Sequence, residues 1–427
     1  MLETVKNLVW GIPTVVALSA FGLYFTIKSR FFQITGLPSV FADAFRDIKK
    51  SSGSGISAAA ALSTALGGTV GIGSISGVAL AISQGGVGSI FWMWVVGFLG
   101  CMVKYAEINV AVSGRKKING IYTGGAMTSL YDDGKKFAAV FFAIMCIFAS
   151  FCTGCLTQSS AVTATLTLNG IPKVICGAFI SAAVLLSVAG GRRAIAGISC
   201  VLVPAASFIY IILTLYIIIS HITALPTVFI KIFTYAFGIR QAGAGIMGYT
   251  VMAAMKVGWA RGIFSSEAGM GSSPIVHSAS ENATPHTQGK WGIIEMIADI
   301  FVFSTLTALA LESSGFSDVG IMYFRVFGSF GRVVLPSLLA IFGFASIISW
   351  CFYAESSIKF LFSDRSKVVS LIYRIAVSLL SFAGAVAAAT VVWDLADIFN
   401  ALMMFPNLYL LFNKRKEICL CFGTKKR

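Results

Sequence analysis

Apolar residues run through this chain in long unbroken stretches, not in alternation. Eleven such stretches predict helices near residues 8–27, 56–82, 87–112, 138–166, 174–190, 195–219, 241–268, 291–312, 333–358, 368–390 and 395–412. Runs of about 20 residues fit membrane-spanning helices, whereas barrel strands are about 10 residues long and alternate. The first run contains Ala17-Leu18-Ser19-Ala20, a loose match to a signal-peptidase site. It continues to Ile27, which argues for a retained helix. Composition agrees with the pattern. Of 427 residues, 57% are hydrophobic and 11% charged, against about 25% charged in a soluble domain. A water-soluble enzyme is excluded. So is a nucleic-acid binder, which needs basic patches on a polar surface. Disorder is excluded by 35 Phe and 7 Trp. The fold class expected is an all-α polytopic membrane protein.

The net charge of +15 follows from where the cations lie. With the N-terminus outside, twenty-two Lys and Arg fall in inside loops and the C-terminal tail, six fall outside, and four (Lys104, Lys256, Arg261, Arg374) lie within spans. That asymmetry is the positive-inside signal. It predicts an outside N-terminus and a cytoplasmic C-terminus in a bacterial or archaeal plasma membrane. The excess charge reads as topology and as a match to anionic lipid.

Without the first span, ten remain, and two are interrupted. Gly67-Gly68-Thr69-Val70-Gly71-Ile72-Gly73-Ser74 breaks the first of the ten. Gly262-Ile263-Phe264-Ser265-Ser266-Glu267-Ala268-Gly269 breaks the sixth. These are the first members of two five-helix halves, and an odd number of spans per half inverts one half against the other. Broken helices in matching places point to an inverted-repeat secondary transporter with its site where they meet. The units expected are an extra N-terminal helix and basic loop (1–54), a first repeat (55–220), an external linker (221–240), a second repeat (241–412) and a basic tail (413–427). Glycine lets a helix unwind. Unwinding frees N–H groups for a carboxylate and C=O groups for Na⁺ or an ammonium. Irregular backbone at membrane depth is tolerated where it is buried or lines a cavity.

These residues resemble the alanine or glycine:cation symporter family (sodium:alanine symporters). The stretch Gly85-Gly86-Val87-Gly88-Ser89-Ile90-Phe91-Trp92-Met93-Trp94-Val95 is similar to its signature. Ala260-Arg261-Gly262 through Glu267-Ala268-Gly269 to Ser273-Pro274-Ile275 is similar to its most specific motif. Val392-Trp393-Asp394-Leu395-Ala396-Asp397 and Phe405-Pro406-Asn407 resemble its last helix. The resemblance spans nearly the whole chain and implies the leucine-transporter fold, whose first broken helix Thr69-Val70-Gly71-Ile72-Gly73 also resembles. It implies a substrate site of Thr69, Gly71, Gly73, Ser74, Gln158, Phe264, Ser265 and Trp350. By fold analogy alone it implies a sodium site of Gly67 and Val70 carbonyls with the Ser346 hydroxyl. The chain departs from the family pattern at Ser74 and Ser266, where Asn is usual, and at Ala126, where Pro is usual. A serine offers one hydroxyl where asparagine offers a carbonyl and two donors.

Other polar residues carry competing readings. Glu267 at membrane depth predicts an ion pair with Arg261 or Lys256, or else a gate or proton-coupling role. Lys104 and Glu107 are i and i+3, which predicts a mutual salt bridge. Glu295 and Asp299 are i and i+4 and share one face. They read as partner-bonded or hydrated carboxylates near a helix end, with a proton relay as the alternative. Asp394 and Asp397 read as helix-start carboxylates, or an external gate. The C-x-x-C of Cys152 and Cys155 lies in an apolar helix and reads as packing. Cys419 and Cys421 could be acylated. No structural disulfide is expected. Gly243-Ala-Gly245-Ile-Met-Gly248 matches a dinucleotide fingerprint literally, but no strand precedes it.

The function expected is sodium-coupled import of small neutral amino acids, alanine or glycine first, by alternating access. No cofactor is expected beyond sodium as coupling ion, and no nucleic acid or obligate protein partner. The alternative is a proton-coupled permease or exchanger for another small amino acid or metabolite, motivated by the two serines. A non-transporting receptor and a membrane enzyme lack, respectively, a signalling domain and a nucleophile or metal cluster.

Overall fold

The computed structural model describes residues 12–49, 55–118, 120–167, 169–238, 244–386 and 389–423. The helices that frame the site are α1 (Ile12–Lys28), α2 (Leu37–Lys49), α3 (Ala58–Thr69), α4 (Ser76–Gly85), α5 (Ser89–Ser113) and α6 (Lys136–Thr167). They continue as α7 (Lys173–Ala189), α8 (Gly191–Ser220), α9 (Leu225–Ala236), α10 (Ala244–Ser266) and α11 (Ser273–Ser278). The last are α12 (Pro285–Ser314), α13 (Val319–Phe327), α14 (Ser329–Phe362), α15 (Ser366–Val386) and α16 (Ala389–Gly423). Among the described residues, seven helices are long and apolar enough to cross a membrane, and shorter apolar helices accompany them. The protein is an all-α polytopic membrane protein. Among the described residues, one short sheet pairs Lys116–Ile118 with Ile121–Thr123.

The packing places both interruptions at the centre. Helix α5 is buried along nearly its whole length because it runs between α10 and α12 and also touches α1 and α11. Helix α14 packs against α3, α6, α8 and α15, and α7 pairs with α15. The faces turned away from these contacts carry Phe179, Leu186, Phe208, Val333 and Leu379, all exposed. Large apolar side chains on an outer face are what a lipid-facing surface requires.

Several expected boundaries shift. The segment 221–240 is largely the helix α9, which packs on α5 and α10. The basic loop after α1 contains α2, whose Phe41, Phe45 and Ile48 form one exposed stripe. The last helix already runs at Ala389, so Asp397 lies at least two turns inside it and does not cap it. Two helices change pitch midway, with π-helical segments at Ser150–Leu156 in α6 and Ile297–Ser304 in α12. Lys6, Lys50, Arg240, Gly243 and the tail cations Lys425, Lys426 and Arg427 lie outside the described residues, as does the side chain of Asp394.

Candidate functional site

The first break lies where glycine makes it cheapest. Helix α3 ends at Thr69, and the chain unwinds from Val70 to Ile75 before α4 begins. Gly71 has φ +144°, a conformation L side chains rarely adopt, and a Cβ there would sit 2.8 Å from Phe342 Cβ. The Gly71 N–H donates to Ser74 Oγ at 3.0 Å, and Ile75 and Gly77 N–H return to the Gly71 and Ile72 carbonyls. The N–H groups of Ile72, Gly73 and Ser74 donate to no group among the described residues. The Ser74 carbonyl accepts from Thr307 Oγ1 at 3.1 Å, which ties this break to α12.

The second break begins later than its sequence predicts. Gly262 to Ser266 remain helical, and unwinding starts at Glu267, whose φ is +53°. The irregular stretch continues through Gly269 and Gly271, both at positive φ, to α11. Phe264 and Ser265 therefore belong to the last turn of α10. Helix ends leave their final carbonyls without intrahelical donors, so acceptors still face the break. Ser266 donates to the Gly262 carbonyl at 2.8 Å and so closes on its own helix. Both serines that replace the family's Asn thus bond local backbone, as short hydroxyl side chains do.

The two broken helices meet. A Cβ on Gly73 would lie 3.2 Å from Ser265 Cα, so a side chain there would push the two breaks apart by a few tenths of an ångström. Ser265 Oγ donates to Asp299 Oδ1 at 2.9 Å, within the π-helical turn of α12. Between the breaks is a cavity of about 10 Å³ lined by Gly68, Thr69, Val70, Ile72, Gly73, Thr153, Gln158, Phe264, Glu267 and Ser346. That volume holds about one water, so the molecule is described in a closed form.

The expected substrate residues divide accordingly. Thr69, Gly73, Gln158 and Phe264 line the cavity, while Gly71, Ser74 and Ser265 stand directly behind it. Trp350 is fully buried against Gly154, where a Cβ would lie only 2.2 Å from the Trp350 Cβ. It is not part of the cavity wall. Of the analogy-based sodium set, Val70 and Ser346 line the cavity. Gly67 is outside that lining, its α-carbon packed toward Ser349 on α14, and Ser346 Oγ reaches the Gly68 carbonyl at 3.4 Å. Gly68 and Ile72, named only as part of the broken stretch, line the cavity too, and Thr153 escaped the sequence reading. Thr153 sits in the π-helical segment of α6, hydrogen-bonded to Asn400 at 2.9 Å, and its carbonyl accepts from Gln158.

The buried charges are paired differently from expectation. Lys104 Nζ lies 3.4 Å from Glu295 Oε1 and donates to Ser273 Oγ at 2.9 Å. Glu107 instead accepts from the Gly271 N–H at 3.0 Å and from Asn407. The expected Lys104–Glu107 bridge does not form, because Lys104 is taken up by Glu295 and Ser273 while the second break and Asn407 supply donors to Glu107. Glu295 also faces His277 Nε2 at 3.2 Å, and Gln288 bonds the other ring nitrogen. Glu295 and Asp299 are mid-helix and partner-bonded. Glu267 accepts from Ser272 Oγ. Neither Arg261 nor Lys256 pairs with it: Arg261 stands in the field of Asp397, and Lys256 is exposed. Cys152 and Cys155 are buried, and Cys155 donates to the Val377 carbonyl. Among the described residues all nine cysteines are free.

The model of the sodium:alanine symporter family matches residues 1–419. The chain is 36% identical over 433 residues to an uncharacterized transporter of Haemophilus influenzae, covering 98% of this chain and 94% of that one. It is 33% identical to the sodium/alanine symporter AgcS of Methanococcus maripaludis, covering 96% and 93%. It is 31% identical to a probable sodium/glutamine symporter, GlnT, of Bacillus subtilis, covering 97% and 87%.

Proposed function

The chain belongs to the sodium:alanine symporter family, and on that premise we propose that it imports small neutral amino acids, alanine or glycine first, by coupling their entry to sodium. The observation that carries this reading is the closed cavity where the two breaks touch at Gly73 and Ser265. Its walls are backbone and short polar groups, with one carboxylate. The free N–H groups at Ile72, Gly73 and Ser74 suit a substrate carboxylate. Carbonyls at the end of α10 and the Gln158 amide suit its ammonium. Phe264 leaves little room for a side chain, which favours alanine and glycine over larger residues.

Transport then proceeds by alternating access. Cation and substrate shift the outward–inward equilibrium only by their differential affinity for the two states. We place the protein in the plasma membrane with its N-terminus outside, and read 55–220 and 241–412 as inverted halves. A competition assay checks the substrate: unlabelled alanine and glycine are expected to abolish labelled-alanine uptake, and phenylalanine to leave it intact. Equal competition by all three would refute a size-limited site.

One feature favours a second reading. Ser74 Oγ accepts from the Gly71 N–H and faces Asp299, and Ser266 Oγ donates to the Gly262 carbonyl, so neither presents the amide the family's Asn would supply. Proton coupling, or a different small metabolite, follows if uptake tracks a pH gradient and ignores sodium.

A further inference from the structure

Helix α2 presents three different faces. One packs on the protein. Val40 and Ala44, four residues apart on one side, are buried, and α2 touches α3 and the first turns of α12. Its carboxylates turn inward as well. Asp43 pairs with Lys290 Nζ at 2.5 Å, and Asp47 lines a small cavity with Ile56, Ser57, Ser280 and Gln288. The second face carries Phe41, Phe45 and Ile48, spaced i, i+4 and i+7 and exposed by 42%, 67% and 56%. The third carries Ala42 and Arg46, both exposed. An exposed stripe of large apolar side chains marks an interaction surface.

Depth and charge say what covers it. Helix α12 has 30 residues, so it is about 45 Å long against about 30 Å of hydrocarbon. About 7 Å then stands clear at each end. Lys290 lies about 8 Å from the start of α12 at Pro285, which sets its partner Asp43, and α2 with it, at the boundary of acyl chains and headgroups. Ser57, beside Asp47, caps the start of α3, so α2 is level with the ends of two helices and not with their middles. The outward charge here has one sign. From Lys28 to Ile48, the exposed charged residues are Lys28, Arg30 and Arg46, while Asp43 and Asp47 are half-buried on the protein side. Arg46 also stands 3.5 Å from Asp43, a surface pair of little strength. A helix with an apolar stripe beside cations is built to lie in a membrane surface, and clustered cations there select anionic headgroups.

We propose that α2 is a membrane-surface helix that docks on anionic lipid. Phe41, Phe45 and Ile48 enter the acyl edge of the leaflet. Lys28, Arg30 and Arg46 meet the phosphates, and the long stem of Arg46 lets its guanidinium turn back to the headgroups. Ala42 faces water. The Asp43–Lys290 pair then fastens a lipid-bound helix to α12, beside the chain that follows α11.

Photo-crosslinking of the full-length protein in vesicles of phosphatidylcholine and phosphatidylglycerol in equal parts tests this. The photoreactive residue p-benzoylphenylalanine replaces Phe45 on the stripe or Ala42 on the water side, and adducts are identified by intact mass. Benzophenone attacks acyl C–H bonds, which both lipids share, so the adducts report which lipid is present. Position 45 is expected to take lipid, mostly phosphatidylglycerol, and position 42 to take little. Each cation at such a surface is worth about fivefold in affinity. Lys28→Gln, Arg30→Gln and Arg46→Gln together are therefore expected to lower the phosphatidylglycerol-to-phosphatidylcholine ratio of the adducts by at least about fivefold. Equal lipid yield at 45 and 42, or crosslinking of position 45 to a second copy of the chain in place of lipid, overturns the membrane placement. An adduct ratio equal to that of the bilayer and unmoved by the triple substitution overturns the anionic preference. If the variant at 45 does not fold, Ile48 on the same stripe takes its place and the same outcomes decide.

Discussion

Gly71 shows how a single position controls the first break. Its φ of +144° and its 2.8 Å approach to Phe342 leave no room for a side chain. Gly71→Ala is expected to cost about 1–3 kcal/mol in backbone strain and to abolish transport. Gly77→Ala, whose Cβ would meet only the Ile72 carbonyl at 3.7 Å, is expected to keep wild-type uptake. Parallel uptake and thermal-melt measurements on the pair check this, and equal uptake by both would show that the break does not depend on Gly71. Sequence made this glycine legible because a Gly-rich stretch inside an apolar run has few other uses. It did not reveal the role of Ser74. A hydroxyl that caps a freed N–H looks in sequence like one that faces a ligand. Trp350 shows the same limit of sequence. The resemblance places it in the site, and here it lies just outside the cavity wall, because Gly154 on α6 opens a slot that takes the ring into the packing.

At the scale of elements, periodicity located the helices but not their irregularities. A π-helical turn changes the residue repeat over only seven or eight positions, too few to stand out in an apolar run. Yet Thr153 and Asp299 reach the site from such turns. The second break was placed early because Gly262 looked like its start. Glycine inside a helix can equally serve close packing, and Gly262 lies against Val96 of α5. Local spacing also failed for Lys104, whose partner Glu295 lies on α12. Removing one member of a buried pair strands the other charge, at about 3–5 kcal/mol. Lys104→Met is therefore expected to lower the melting temperature sharply, and Lys104→Met with Glu295→Gln to recover much of the loss. A double variant no more stable than the single one would show that the two charges are not coupled.

Across the whole molecule, a seam of backbone and side-chain bonds ties the two broken helices together at one end. Ile56 pairs with Ser280 as an isolated bridge, and the Glu281 N–H donates to the Ile56 carbonyl at 3.0 Å. Arg115 gathers the carbonyls of Ser278, Ser280, Glu281 and Ala283. Asp43 on α2 pairs with Lys290 beside them. This seam joins the start of α3 to the chain after α11, so it spans both broken helices. Hydrogen bonds to a charged group are worth about 1.5–3 kcal/mol each. Arg115→Ala is expected to loosen the seam, seen as faster labelling of a cysteine introduced at Ile56. Labelling at the wild-type rate would show that Arg115 does not hold it. Nothing in the sequence flagged Arg115, because its partners are carbonyls far along the chain.

The central claim is that these breaks couple sodium to a small amino acid. Labelled-alanine uptake into proteoliposomes, with and without an inward sodium gradient at fixed pH, tests it most directly. The account predicts accumulation above equilibrium only with the gradient, and collapse when a sodium ionophore is added. Alanine uptake that is indifferent to sodium and follows an imposed pH gradient would contradict it.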